Sequence, residues 1–300
     1  MSKASSIRED ESLLPSPQGG FPGLLRDFLF FEAERRLKRM PGWLPSAARR
    51  MLVPASIREL SVFEGAHQGE DCFILGNGPS LNRTNLGLLS GKHCIGLNKI
   101  FLMLQRQPLD LSYLVSVNPF VVEQSLEEFA SMGLTTFLPI EYCRKEARVT
   151  PGFRGIRVRD RFHFSSTMSG NLGQGHTVTF VALQIAFAMG FERVFLVGVD
   201  HRFKQVGEAN EIQKLEQPDE NHFDPAYFQG QLWHLADLEG SEIAYRIAEL
   251  EYRRAGRHVF DATVGGKLEV FGKIPFDEAV RMARDRINEP VRPASSVIPR

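Results

Sequence analysis

Hydrophobic and polar positions fall along this chain in blocks of two kinds. Short, nearly continuous apolar runs predict buried strands at 71–75, 93–98, 111–118, 134–140, 193–199 and 258–262. Longer stretches carry helical spacing. Residues 177–189 are apolar throughout, with Gly190 as a stop, and 239–255 are amphipathic and end at Gly256. Strands alternating with helices predict a parallel sheet covered on both faces: an α/β fold, Rossmann-like and doubly wound. The runs end in polar residues. Asn77, Ser80, Asn98, Asn118 and Asp200 all lie at or just beyond the ends of predicted strands. A single polar strand end is usually a turn, but in an open α/β sheet this edge is where ligands bind, so five together predict one pocket.

Ahead of this core the pattern changes. Residues 1–20 are polar and rich in Ser, Pro and Gly, which predicts a disordered tail. A helical extension is expected over 21–66, where Leu24, Leu25, Phe28, Leu29, Phe31 and Leu37 recur at helical spacing. Arg35, Arg36, Lys38, Arg39, Arg49 and Arg50 make the segment basic, and Pro41 and Pro45 interrupt it. It reads either as a helix packed on the main domain or as a peripheral contact with the anionic inner face of a membrane. The catalytic domain is expected over 67–280, with a lid-like segment at about 201–235 and a C-terminal tail over 281–300.

Composition narrows the classes. Lys plus Arg equals Asp plus Glu at 36 each, so no global field draws the chain to nucleic acid. Cys72, Cys94 and Cys143 are far apart, without the spacing of a zinc site or a disulfide framework. A reducing, cytoplasmic setting is expected. No basic-then-apolar leader opens the sequence, and no run approaches the roughly 18 apolar residues that span a bilayer.

Three motifs carry candidate chemistry. Gly76-Asn77-Gly78-Pro79-Ser80 follows the first strand. Its glycines would let backbone N–H groups approach a phosphate, and Ser80 would add a hydroxyl. It lacks the third glycine of a dinucleotide fingerprint and the Lys of a P-loop, and a plain Gly-Pro turn is the alternative. Gly170-Asn171-Leu172-Gly173-Gln174-Gly175-His176-Thr177 leads into the apolar helix, which Thr177 would cap; the alternative is a flexible loop. Asn221-His222-Phe223-Asp224-Pro225, with Tyr227 and Phe228, follows a polar stretch at 204–220. His222 is a candidate general base there, although a lone loop His is more often incidental. Asp200, followed by His201, is placed to grip a ribose, a hydroxyl or magnesium, or simply to make a turn.

Taken together, 76–81, Gly96-Leu97-Asn98, Ser116-Val117-Asn118-Pro119 and the run from Gly190 to Asp200 resemble the bacterial sialyltransferases that use CMP-sialic acid. The chain is similar, more closely still, to bacterial relatives of 6-hydroxymethylpterin diphosphokinase that include flagellin-glycosylating motility factors. The 221–225 and 263–271 runs carry that second likeness, and the resemblance covers about 71–271. It implies that Gly76, Asn77, Gly78 and Ser80 hold the donor phosphate and sugar, and that Asn98 and Asn118 hold the nucleotide. It further implies that Thr177 lies near the donor carboxylate and that His222 deprotonates the acceptor. Arg202 stands where those enzymes place a leaving-group tyrosine, and an Arg would meet a departing phosphate directly.

The function expected is transfer of a sugar from a nucleotide-activated donor, CMP-linked in the sialyltransferase likeness, to a glycan or protein acceptor in cell-surface polysaccharide, lipopolysaccharide or glycoprotein synthesis. No metal is required in this reading, and a homo-oligomer is compatible with it. Two alternatives stand beside it. One is a pyrophosphoryl transfer from ATP with Mg2+, in which Asp200 and Asp224 bind the metal. The other is a nucleotide-sugar-binding protein without catalysis.

Overall fold

The computed structural model describes residues 59–146, 152–160, 162–287 and 289–291. The expected N-terminal tail, most of the helical extension and the final nine residues therefore lie outside the described part. The elements in chain order are β1 (Asp71–Leu75), β2 (His93–Leu97), β3 (Tyr113–Val115), α1 (Pro119–Ser131), β4 (Thr135–Pro139) and α2 (Ile140–Glu146). They continue as β5 (Phe153–Arg159), β6 (Asn171–Gly173), α3 (Val178–Met189), β7 (Arg193–Val197), β8 (Ile212–Lys214) and β9 (Leu232–His234). The chain then forms α4 (Leu238–Arg254), β10 (His258–Asp261), β11 (Gly272–Lys273) and α5 (Phe276–Met282).

Nine strands make one sheet in the order β11-β10-β7-β1-β2-β3-β4-β5-β6, and every pairing in it is parallel. This is the α/β, Rossmann-like arrangement the alternating pattern predicts. Strands β1 and β2 are buried along their whole length, which is why they read as unbroken apolar runs. Successive side chains point to opposite faces. Cys72, Ile74, Val194 and Leu196 thus feed one hydrophobic cluster, with α3 and α4, while Phe73, Leu75, Phe195 and Val197 feed the other.

Helix α3 is buried on nearly all sides, capped by Thr177 at its start and by Gly190 at φ 97° at its end. Helix α4 buries one stripe only, Ala244, Tyr245, Ala248 and Tyr252, and Tyr252 donates its hydroxyl to the Leu183 carbonyl at 2.8 Å. The chain after α5 runs back under the sheet: Arg284 N–H reaches Asp71, Ile287 N–H reaches Glu70, and Val291 N–H reaches the Tyr113 hydroxyl. Beneath that segment His67, Glu70 and His93 form a buried network, and each ring has a hydroxyl partner, Tyr113 or Ser112. All three cysteines are buried and free. No helix among the described residues is long and apolar enough to cross a membrane.

The topology fixes where a ligand can enter. From β1 the chain builds outward through β2, β3, β4, β5 and β6, then returns to β7 on the other side of β1. The strand order therefore reverses between β1 and β7, and the crevice beyond their C-terminal ends is the natural binding position.

Candidate functional site

Two loops leave that reversal point together. The loop after β1 carries Gly76, Asn77, Gly78 and Ser80; the loop after β7 carries Gly198, Asp200 and Arg202. They are packed backbone against backbone. A Cβ on Gly76 would lie 2.4 Å from the Gly198 carbonyl oxygen, and one on Gly78 would lie 1.9 Å from Asp200 Oδ2. Gly76 N–H donates to Val197 O, and Gly78 N–H to Gly198 O, each at 2.8 Å. The Ser80 hydroxyl donates to Asp200 Oδ2 at 2.5 Å, and Ser80 N–H to Oδ1 at 3.2 Å. The glycines are thus used to bring two loops into contact. The amide groups of Gly76, Gly78 and Ser80, expected to face a phosphate, are already bonded within the protein, as is the Ser80 hydroxyl. Ser80 is fully buried, and Asp200 acts as its clamp.

The cleft above these loops is lined by Gly76, Asn77, Gly78, Asn98, Asn118, Thr177, Asp200, Arg202 and His222. Of the residues given a binding, catalytic or metal role in the sequence, Ser80 and Asp224 are missing from its wall. Asn77 donates its Nδ2 to Leu97 O at 2.9 Å, which orients the amide; its Oδ1 is buried and has no hydrogen-bond partner among the described residues. Asn98 sits at φ 47°, a left-handed conformation that Asn tolerates better than most residues, and its Oδ1 accepts the Ser116 hydroxyl at 3.0 Å. Asn118 is the N-cap of α1, accepting from Phe120 N–H and Val121 N–H. Thr177 caps α3 in the same way through Thr179 N–H. Arg202 is exposed at the cleft and forms no ion pair with the described residues.

His222 reaches the cleft from the 201–235 segment, which is tied directly to the β1 loop. Phe223 N–H donates to Asn77 O at 2.9 Å, and Asn82 Nδ2 to Phe223 O at 2.8 Å. Asn221 holds the backbone of Lys204 from both sides, accepting its N–H at 2.6 Å and donating to its carbonyl at 3.0 Å. Phe223, Tyr227, Phe228, Trp233 and Leu235 are all buried beneath this segment. The His222 ring stacks on Tyr227, with centroids 4.0 Å apart and planes 5° from parallel. Its Nδ1 lies 2.8 Å from Asp219 Oδ2. Asp224 is placed elsewhere, paired with Arg106 at 2.7 Å, so the structure does not bring it to the cleft beside Asp200. Nothing in this arrangement favours the Asp200–Asp224 metal pair.

Several cleft residues were given no role by the sequence reading. His176 lies 3.2 Å from Asp237, and His201 lies 3.3 Å from Glu242. Both histidines hold positive φ, 58° and 49°, which for a non-glycine residue is a strained state that clusters at functional sites. His234 stacks on Phe120 at 4.8 Å, and its Nδ1 accepts from Asn118 Nδ2 at 3.3 Å; burial lowers its pKa, so the neutral ring is favoured. Tyr245 and Trp233 complete the apolar wall. His176 had a sequence signal, its place between a glycine loop and a capped helix. His234 had none, because the short strand β9 that carries it shows no periodicity.

No family model matches the chain, and no curated protein does. Among solved structures, the MAf glycosyltransferase from Magnetospirillum magneticum AMB-1 is similar at 16% identity and a TM-score of 0.47, covering 78% of this chain and 39% of its own. The chain thus spans well under half the length of that protein. A likeness so weak speaks to neither activity nor substrate.

Proposed function

We propose that the chain is a glycosyltransferase that moves a sugar from a nucleotide-activated donor to a glycan or protein hydroxyl. The observation that supports this best is the convergence of His222, Asn77, Asn98, Asn118 and Arg202 on one cleft at the strand-order reversal, with the His222 loop bonded to the donor loop through Phe223 and Asn77. His222 Nδ1 is engaged by Asp219, which leaves Nε2 as the ring nitrogen for chemistry.

In the reaction, His222 takes the proton of the acceptor hydroxyl as its oxygen attacks the anomeric carbon. The bond from that carbon to the donor phosphate breaks, and Arg202 meets the charge that develops on the departing phosphate. With three amides of the β1 loop occupied internally, donor binding falls to the asparagine side chains that line the cleft, Asn77, Asn98 and Asn118.

A thermal-shift panel of CMP, UDP, GDP, and ATP with Mg2+ tests the reading. Stabilisation by at least one nucleoside mono- or diphosphate without metal is expected. Stabilisation by ATP with Mg2+ alone would replace sugar transfer with pyrophosphoryl transfer.

A further inference from the structure

We propose that Asp219 is the positioning residue of the base: it selects the tautomer of His222 and holds the ring in line with the cleft. The inference rests on the reading of His222 as a general base.

A carboxylate accepts hydrogen bonds and, when ionised, donates none. Asp219 uses both oxygens in this way. Oδ1 accepts Asn221 N–H at 2.8 Å, and Oδ2 faces His222 Nδ1 at 2.8 Å. The proton of a neutral His222 must then reside on Nδ1, and Nε2 keeps the lone pair that a base requires. Asp219 is itself fixed. Its side chain is 1% exposed, and its N–H donates to the Pro225 carbonyl at 2.7 Å, so residues 219–225 form a closed turn. Tyr227 completes the restraint by stacking on the ring at 4.0 Å, with Phe228 and Trp233 meeting it edge-on. No freedom is left to bring Nδ1 to the substrate instead.

Asp219 also interacts electrostatically with Lys99, whose Nζ is held by Gln124, Gln231 and the Tyr227 carbonyl.

Asp219→Asn separates this role from a merely structural one. An asparagine keeps the acceptor for Asn221 N–H but presents an NH2 group to Nδ1, which forces the opposite tautomer, with the proton on Nε2. Nitrogen-15 NMR of the histidines, at a pH where the ring is neutral, should show the Nδ1–H form of His222 in the wild type and the Nε2–H form in the variant. With a turned-over sugar nucleotide, kcat should fall about 100- to 10,000-fold while KM for the donor stays within a few-fold. His222→Ala combined with Asp219→Asn should cost no more than His222→Ala alone, because the two act as one unit. A wild-type His222 carrying its proton on Nε2, or a folded Asp219→Asn protein with unchanged kcat, would overturn the assignment. The NMR arm is independent of the reaction: a wild type that binds and turns over no sugar nucleotide would defeat the proposed function while the tautomer still decides the role of Asp219.

Discussion

Gly76 shows how much of the site rests on single atoms. The sequence suggests glycines that open a loop to phosphate, whereas the structure uses them to seat one loop on another. No local pattern could have revealed this, since the partner, Gly198, lies across the β1–β7 junction. Gly76→Ala places a methyl 2.4 Å from a backbone carbonyl that cannot rotate away, so it should destabilise the fold by about 1–3 kcal/mol in urea unfolding. An unchanged midpoint would mean the two loops are not in contact. Lys99 is a second case. Burial lowers its pKa from 10.5 to about 8, against the opposing pull of Glu128 and Asp219. Between those values the unfolded chain holds a proton that the folded chain lacks, so the Lys99 contribution to stability rises with pH across that window. Stability of the wild type relative to Lys99→Met, measured by denaturant titration, should therefore increase from about pH 8 to about pH 10. A flat or falling difference would contradict the buried placement.

Elements with strong periodicity were legible, and those without it were not. The apolar runs of β1, β2 and β7 and the capped helix α3 match the predicted segments within two residues. Strand β5 was hidden because its burial is mixed, with Arg154, Arg157 and Arg159 alternating with apolar positions toward the sheet edge. Strands β6, β8 and β9 have three residues each, too few for any period to show. Caps carry part of the site. Asp237 caps α4 by accepting Gly240 N–H at 2.8 Å through Oδ1, while Oδ2 holds His176 at 3.2 Å. Removing an N-cap acceptor costs about 1 kcal/mol. Asp237→Ala should therefore lower thermal stability by that order and also weaken ligand binding at the cleft, since His176 loses its partner. A loss of stability with ligand binding untouched would separate His176 from the site.

At the scale of the whole molecule, the parallel sheet and the polar strand ends together locate the site. The strand order that places the reversal between β1 and β7 was not readable, because order depends on which runs pair across more than a hundred residues. The convergence of Asn77, Asn98, Asn118 and Asp200 on one cleft was readable in outline, from the rule that strand C-termini gather at one edge; Ser80, expected with them, is buried away from it. In the proposed reaction the chemistry of that cleft turns on His222. The direct measurement is turnover of a sugar nucleotide by wild type and His222→Ala, with nucleotide affinity followed by calorimetry in the same preparations. Turnover should fall about 100- to 10,000-fold while affinity stays nearly constant. Unchanged turnover in a folded His222→Ala protein would contradict the account of this cleft as a site of base-assisted sugar transfer.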